Sequence, residues 1–459
     1  MIDSDKVKNY RRSLHGLWSS RMAFILAVTG SAVGLGNIWK FPYMAGENGG
    51  GAFVIIYLIC VFLVGLPIMM SEILLGRRGR RNPISSMVLL GEEEGGARFW
   101  GGIGIVGVVA GFLILSFYCV IAGWVLAYFF KMASGAFFNA DPALVKSTIE
   151  SLSGSWVESG FWHTLFMILT IGVVARGVER GLETAVTLMV PALIGILLLL
   201  LVYSIVSGEF SRSLEFLFKP DFSVINGSVI LAAMGQAFFT LSIGMCAVMA
   251  YGAYLPQETS IPGTACAVVT ADTIIALLSG LVIFPIVFAN GLNPSSGPDL
   301  IFQALPLSFG NMPAGTLFGS LFFLLVGFAA LTSAISLIEP TVAWVVESYE
   351  ISRSKAAIFI GASIWAVGLL NVFSFNLLED FIFWKGTFIE NLDYLTSNIM
   401  LPMGGFLITI FCGWVMSKNS SSDELNVEAE FIYKVWYFLT RFLAPVALAL
   451  VFLNAIDLL

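Results

Sequence analysis

The stretch Gly30-Ser31-Ala32-Val33-Gly34-Leu35-Gly36-Asn37-Ile38-Trp39-Lys40-Phe41-Pro42 decides the fold. It follows an apolar helical pattern from Met22 to Thr29 and precedes a second apolar run from Ala52 to Met70, so it lies at membrane depth. Backbone in hydrocarbon must satisfy its own hydrogen bonds. Glycines at 34 and 36 therefore leave two readings. Either the helix packs closely on a neighbour through small residues, or it is locally unwound and its free backbone groups bind something. Packing alone has no use for Asn37 and Lys40.

The composition sets the class. Of 459 residues, 58% are hydrophobic and 12% charged, and mean hydropathy is +0.90. That is a polytopic helical membrane protein. The first span begins near Ser19 after a polar, basic start without a small-residue cleavage site, which reads as a retained helix rather than a signal peptide. No basic cluster interleaved with aromatics suggests nucleic-acid binding. Cys60, Cys119, Cys246, Cys266 and Cys412 all fall in apolar spans, so no structural disulfide is expected. His15 and His163 lack metal-ligand spacing, which argues against a zinc or haem enzyme.

Apolar runs of about 20 residues or more predict eleven spans, near 19–44, 51–76, 100–131, 160–176, 181–206, 226–254, 262–289, 316–350, 355–373, 390–416 and 432–456. With the N-terminus inside, the inside segments hold sixteen Lys and Arg and the outside segments six (Lys40, Lys131, Lys146, Arg212, Lys219 and Lys385). This predicts a cytoplasmic N-terminus and an outside C-terminus. Residues 374–390, aromatic and acidic, read as a re-entrant or interfacial piece.

The run 226–254 is interrupted too. Gly235-Gln236-Ala237-Phe238-Phe239-Thr240-Leu241-Ser242-Ile243-Gly244-Met245 places polar groups and glycine mid-membrane. Interruptions in spans 1 and 6 divide the chain into two five-span halves. An odd number of spans forces the second half to be inverted. Paired broken helices in inverted halves point to a transporter binding site at the midplane.

The residues Trp18-Ser-Ser-Arg21, the stretch Gly30 to Pro42 and Glu47-Asn-Gly-Gly-Gly-Ala-Phe53 together resemble the signature of the neurotransmitter:sodium symporter family, in its bacterial amino-acid branch. Tyr118 with Trp124, Gln236 to Ser242, Leu331-Thr-Ser333 and Pro340 extend the resemblance from about residue 15 to about 415. It implies an all-α membrane protein with the LeuT fold: eleven helices, two inverted five-helix repeats with broken helices 1 and 6, and one extra C-terminal helix. Residues 1–18 then form a cytoplasmic segment, 19–206 the first repeat, and 207–225 an extracellular loop. Residues 226–416 form the second repeat with an extracellular lid at 290–315, 417–431 a cytoplasmic loop, and 432–459 the last span.

The resemblance also implies sites. One sodium ion would meet the Ala32 carbonyl, Asn37, Thr240, Asp272 and the substrate carboxylate. The other would meet the carbonyls of Gly30, Val33 and Ala329 and the hydroxyls of Thr332 and Ser333. Back-bonding to a carbonyl one turn earlier is the alternative for those hydroxyls. Unwound carbonyls and helix ends suit such ions. A mid-membrane carboxylate costs about 2.5–3.5 kcal/mol on insertion scales, so Asp272 needs a function or a partner. The family usually has Asn there. Tyr57, Gln236 and Thr240 of the resembling anion site are present, but its last hydroxyl is Ala276. Asp272 is therefore expected to replace chloride, and to take up a proton when sodium leaves.

The substrate pocket is expected from Ala32, Leu35, Gly36, Ile114, Tyr118, Phe239, Thr240, Ser242, Met245, Ser333 and Leu337. Core packing is the alternative for Ile114 and Leu337. Amine carriers of the family have Asp at the place of Gly34. Its absence predicts a substrate that brings its own carboxylate, and the apolar walls with adaptable Met245 favour larger hydrophobic or aromatic amino acids. Lys40 with Asp393, or Asp380 as the fallback, resembles the outer ion-pair gate above a lid of Tyr118 and Phe239. Trp18, Tyr254 and Glu347 resemble the inner latch, where His15 replaces the family's arginine and Arg11 or Arg12 offers a substitute. Gly181 and Pro191 resemble an unwinding motif, with a simple proline kink as the alternative.

The expected function is thus a sodium:amino-acid symporter in a bacterial plasma membrane. Two sodium ions, no chloride, an amino-acid substrate and membrane lipid are its partners. An amino-acid-sensing receptor without transport is the alternative, and an enzyme is not expected.

Overall fold

The computed structural model describes residues 13–294, 299–425, 430–456 and 458. Lys6, Lys8, Arg11, Arg12 and part of the expected lid lie outside the described residues. Among the described residues nine continuous helices are long and apolar enough to span a membrane. They are α2 (Gly51–Gly79), α3 (Arg98–Ala133), α4 (Trp156–Val174), α5 (Val178–Ser207), α7 (Ile261–Ala289), α8 (Gly315–Tyr349), α9 (Arg353–Phe373), α10 (Phe388–Val415) and α11 (Glu430–Ala455). A tenth span is the pair α1a (Arg21–Ala32) and α1b (Gly36–Glu47), bent by 54° at the break. The pair α6a (Gly227–Thr240) and α6b (Ala247–Gly252) fills the remaining expected span.

The breaks follow from local chemistry. α1a starts on Ser20, whose hydroxyl accepts from the Ala23 amide, a standard N-cap. It stops where Val33 leaves helical geometry at φ −74° and ψ 94°. The Gly34 amide then turns to Asn37 Oδ1 at 3.2 Å, so a side chain replaces the lost ladder partner. A wide turn over Gly36–Lys40 restarts the helix. In α6 the break spans Leu241 to Cys246, with Ser242, Gly244 and Cys246 at φ of 53°, 87° and 59°. Non-glycine residues held there cost about 1–3 kcal/mol each and concentrate at functional sites.

The bundle has a clear inside. Among the nine continuous helices α8 and α7 are the most enclosed, with 78% and 72% of their apolar windows buried, against 33% for α11. α8 lies against α1a, α3, α5 and α9, while α11 packs on α10 at the edge. α1a also lies against α7, and α6a and α6b both lie along α2. The two broken helices are thus surrounded by long continuous ones. Segment 300–310 is helical and folds back on the bundle, where Phe302 meets Trp124 and Tyr128 with ring centroids 6.0 and 5.1 Å apart. All five cysteines are unpaired.

Candidate functional site

The two breaks face each other across one small cavity. Ala32, Gly34, Leu35 and Gly36 line it from the first break, and Ile114 and Tyr118 from α3. Phe239, Ser242 and Met245 line it from α6, and Ser333 and Leu337 from α8. Every residue expected to line the pocket does so except Thr240, which turns away to Asp272. None of the lining residues is charged. Gly34 is closely packed: a Cβ there would come within 2.5 Å of Ser333 Oγ and 3.2 Å of the Tyr118 hydroxyl, so the serine side chain would have to move.

Two clusters of oxygen atoms flank the cavity. In the first, buried Asp272 accepts from Asn37 Nδ2 at 2.7 Å and from Thr240 Oγ1 at 3.2 Å. Gln236 Nε2 donates to the Gly36 carbonyl at 3.1 Å, and its buried Oε1 finds no partner among the described residues. Tyr57 and Ala276 are fully buried. In the second, Ser333 Oγ lies 3.4, 3.1 and 3.5 Å from the carbonyl oxygens of Gly30, Ser31 and Val33. Thr332 Oγ1 donates to Phe328 O and Ala329 O, both at 3.1 Å. The back-bonded geometry is therefore present, and it also brings Thr332 beside the Ala329 carbonyl. Such unwound carbonyls and hydroxyls are a donor set that fits sodium; the second cluster supplies it without a formal charge.

A wider vestibule opens beyond the cavity on the Lys40 face. Leu35, Gly36, Tyr118 and Phe239 belong to both spaces, so they form the floor of one and the roof of the other. Lys40 and Asp393 line the vestibule, and Asp380 does not. The two form no ion pair here. The Lys40 ammonium sits 3.9 Å from the Phe239 ring centroid, and Asp393 accepts from Ser397 Oγ at 2.8 Å.

The opposite, Trp18 face is shut. Trp18 is buried and donates to Tyr251 O at 3.1 Å, while its amide donates to Tyr254 O at 3.0 Å. His15 Nε2 reaches Glu347 Oε1 at 2.9 Å. The Asn82 amide and side chain donate to the same carboxylate at 2.7 and 2.8 Å. His15 therefore contacts Glu347, while Arg11 and Arg12 lie outside the described residues. Beside it, the Tyr254 hydroxyl donates to Glu339 at 2.8 Å, and Arg353 bonds both oxygens of that buried carboxylate. Val178–Glu183 forms a wide turn at the start of α5, Pro191 lies inside the helix, and Glu183 bonds Ser19 just before α1a.

Several of these residues escaped the sequence reading. Glu72 accepts from the amides of Gly244 at 2.6 Å and Met249 at 3.3 Å, holding the α6 break from α2. Glu339, Arg353 and Asn82 were missed as well. For Glu72 and Glu339 the available signal is the one that marks Asp272, a carboxylate inside an apolar run; Asn82 and Arg353 carry no such signal.

Comparison with known proteins settles the class. The model of the Sodium:neurotransmitter symporter family matches residues 15–137 and 146–458. The chain belongs to this family. It is 39% identical over 446 residues to the uncharacterized sodium-dependent transporter YhdH of Bacillus subtilis, covering 96% of this chain and 98% of the relative. An uncharacterized sodium-dependent transporter of Haemophilus influenzae is 30% identical, with 95% and 97% covered. The crystal structure of MhsT in complex with L-phenylalanine superposes with a TM-score of 0.88 at 41% identity, covering 96% of this chain and 99% of that one. This symporter therefore has the LeuT fold, with inverted repeats and broken helices 1 and 6. It is a multi-pass, sodium-dependent transporter rather than an enzyme.

Proposed function

We propose that this symporter imports hydrophobic or aromatic amino acids by alternating access, driven by sodium at two sites and independent of chloride. The uncharged cavity enclosed by the two helix breaks carries the reading. A zwitterion there would set its carboxylate against the unwound backbone near Gly36 and its side chain among Ile114, Tyr118, Phe239, Met245 and Leu337. With Gly34 in contact with Ser333 and Tyr118, no protein carboxylate stands ready for a lone ammonium. That MhsT was crystallised with L-phenylalanine supports the substrate class.

Asn37, Thr240, Asp272, the Ala32 carbonyl and the substrate carboxylate would hold one sodium ion. Gly30, Val33, Ala329, Thr332 and Ser333 would hold the other. Asp272 supplies the negative charge that chloride would bring, and takes up a proton when sodium departs. The open vestibule and shut Trp18 face suit an outward-facing state. In it Lys40 and Asp393 wait to pair above the Tyr118–Phe239 lid, and His15, Trp18, Tyr254 and Glu347 latch the inner side. The N-terminus is cytoplasmic and the C-terminus outside, in a bacterial plasma membrane. A zwitterion with two sodium ions moves two charges, worth roughly 4–5 kcal/mol at about 100 mV.

Uptake into proteoliposomes with competition by all twenty amino acids tests the substrate class. Counterflow separates transport from sensing, since binding without exchange would make the protein a receptor. Strong loss of uptake when gluconate replaces chloride would sink the chloride-independent reading, and uptake insensitive to internal pH would remove the proton step.

A further inference from the structure

The connection between α9 and α10 carries an exposed apolar run that lines neither the cavity nor the vestibule. α9 has 21 residues, about 31 Å at 1.5 Å per residue, which matches a hydrocarbon core of about 30 Å. Its last residue, Phe373, therefore lies at the edge of the hydrocarbon on the Lys40 face, and the connection starts at headgroup level. Four consecutive residues there, Phe381-Ile382-Phe383-Trp384, are exposed by 58, 71, 40 and 60%.

This apolar run is held in a fixed shape. Phe383 and Gly386 exchange backbone hydrogen bonds at 3.0 and 3.1 Å. Asn391 Nδ2 donates to the carbonyls of Phe383 and Gly386, both at 2.7 Å, and its Oδ1 accepts from the Lys385 amide at 2.9 Å. Trp384 stands edge-on to Tyr394 with centroids 5.0 Å apart. The chain makes a tight turn at Trp384-Lys385 and leaves the apolar run that leads into it largely exposed.

We propose that Phe381–Trp384 inserts into the headgroup–acyl boundary of the bilayer on the Lys40 face and anchors the start of α10. Its occupant is lipid. Leu370 in the last turn of α9 is 39% exposed and Leu377 beyond it 63%, so exposed apolar side chains lead from the end of α9 toward the run. Acidic Glu379 and Asp380 precede the run and Lys385 follows it. An aromatic, apolar segment between charged ends at headgroup depth has the chemistry of an interfacial anchor. The same tight turn is stapled through Asn391 to the turn that carries Glu390 and Asp393 in the vestibule wall. The inference rests on the membrane fold alone and stands whether or not the chain transports amino acids.

The test places an environment-sensitive fluorophore on Ile382→Cys in a Cys266→Ser background, where the other cysteines are buried, in lipid nanodiscs. Ser147→Cys, on the exposed polar helix Pro142–Gly154, is the aqueous control. Expected are blue-shifted emission at 382, at least threefold stronger quenching by a shallow lipid spin label, and at least threefold weaker quenching by iodide than at 147. Iodide quenching equal to the control overturns the proposal. So does quenching that depends on protein density rather than on the lipid label, which would mean contact with a second copy. A label-free measurement guards against disturbance by the dye. Trp384→Phe should lower the fraction of intrinsic fluorescence quenched by brominated lipid, and an unchanged fraction would overturn the proposal.

Discussion

At the scale of single residues, Asp272 and Gly34 carry the most consequence. Asp272 is buried with Asn37 and Thr240 as its hydrogen-bond donors. Asp272→Asn removes the local negative charge, so sodium-dependent amino-acid binding should weaken at least tenfold in chloride-free medium and recover in part with added chloride. A sodium titration of ligand binding in gluconate and chloride buffers checks this. Gly34→Ala drives a methyl to within 2.5 Å of Ser333 Oγ. It should abolish amino-acid binding while leaving thermal unfolding within a few degrees of wild type, read by ligand binding beside a melting curve. Both residues were legible in sequence because each breaks the apolar pattern of its span. Thr240, expected in both the pocket and the first sodium cluster, stands with Asp272 in the latter, since spacing along α6a does not say which of two adjacent spaces a side chain enters.

At the scale of elements, the α6 break is held by a neighbour. Glu72 on α2 accepts the Gly244 and Met249 amides, which lost their ladder partners when the helix unwound. Glu72→Gln keeps an acceptor for one amide and turns a donor to the other. Leaving a buried group unsatisfied costs about 1–3 kcal/mol, so the melting temperature should fall by several degrees and ligand affinity with it. The wide turn at Val178–Glu183 and Pro191 give α5 its own weak point, beside Ser19. Under the proposed mechanism Pro191→Ala should slow turnover more than fivefold and leave equilibrium sodium-dependent binding intact. Transport rate measured against binding affinity separates these effects. Which helices break was readable from glycine and polar residues in apolar runs. Which partner holds each break was not, because Glu72 meets Gly244 only through tertiary packing.

At the scale of the whole molecule, the shut Trp18 face and open Lys40 face form one state of a balance. Glu347 accepts from His15 and twice from Asn82. With each such bond worth roughly 0.5–1.5 kcal/mol, Glu347→Gln should shift the population toward opening on the Trp18 face tenfold or more. Hydrogen exchange over Arg21–Ala32 reads this, and unchanged protection would contradict the latch. The sequence by itself determined a helical membrane protein, its spans, the two broken helices and most residues between them. Those depend on local rules: the length needed to cross hydrocarbon, and the cost of glycine and polar groups within it. Only the tertiary structure decided that His15 reaches Glu347, that Glu339 binds Arg353 and Tyr254, and that Lys40 rests on Phe239 instead of Asp393. These contacts join residues distant in the chain and depend on how the helices pack, which local pattern does not encode.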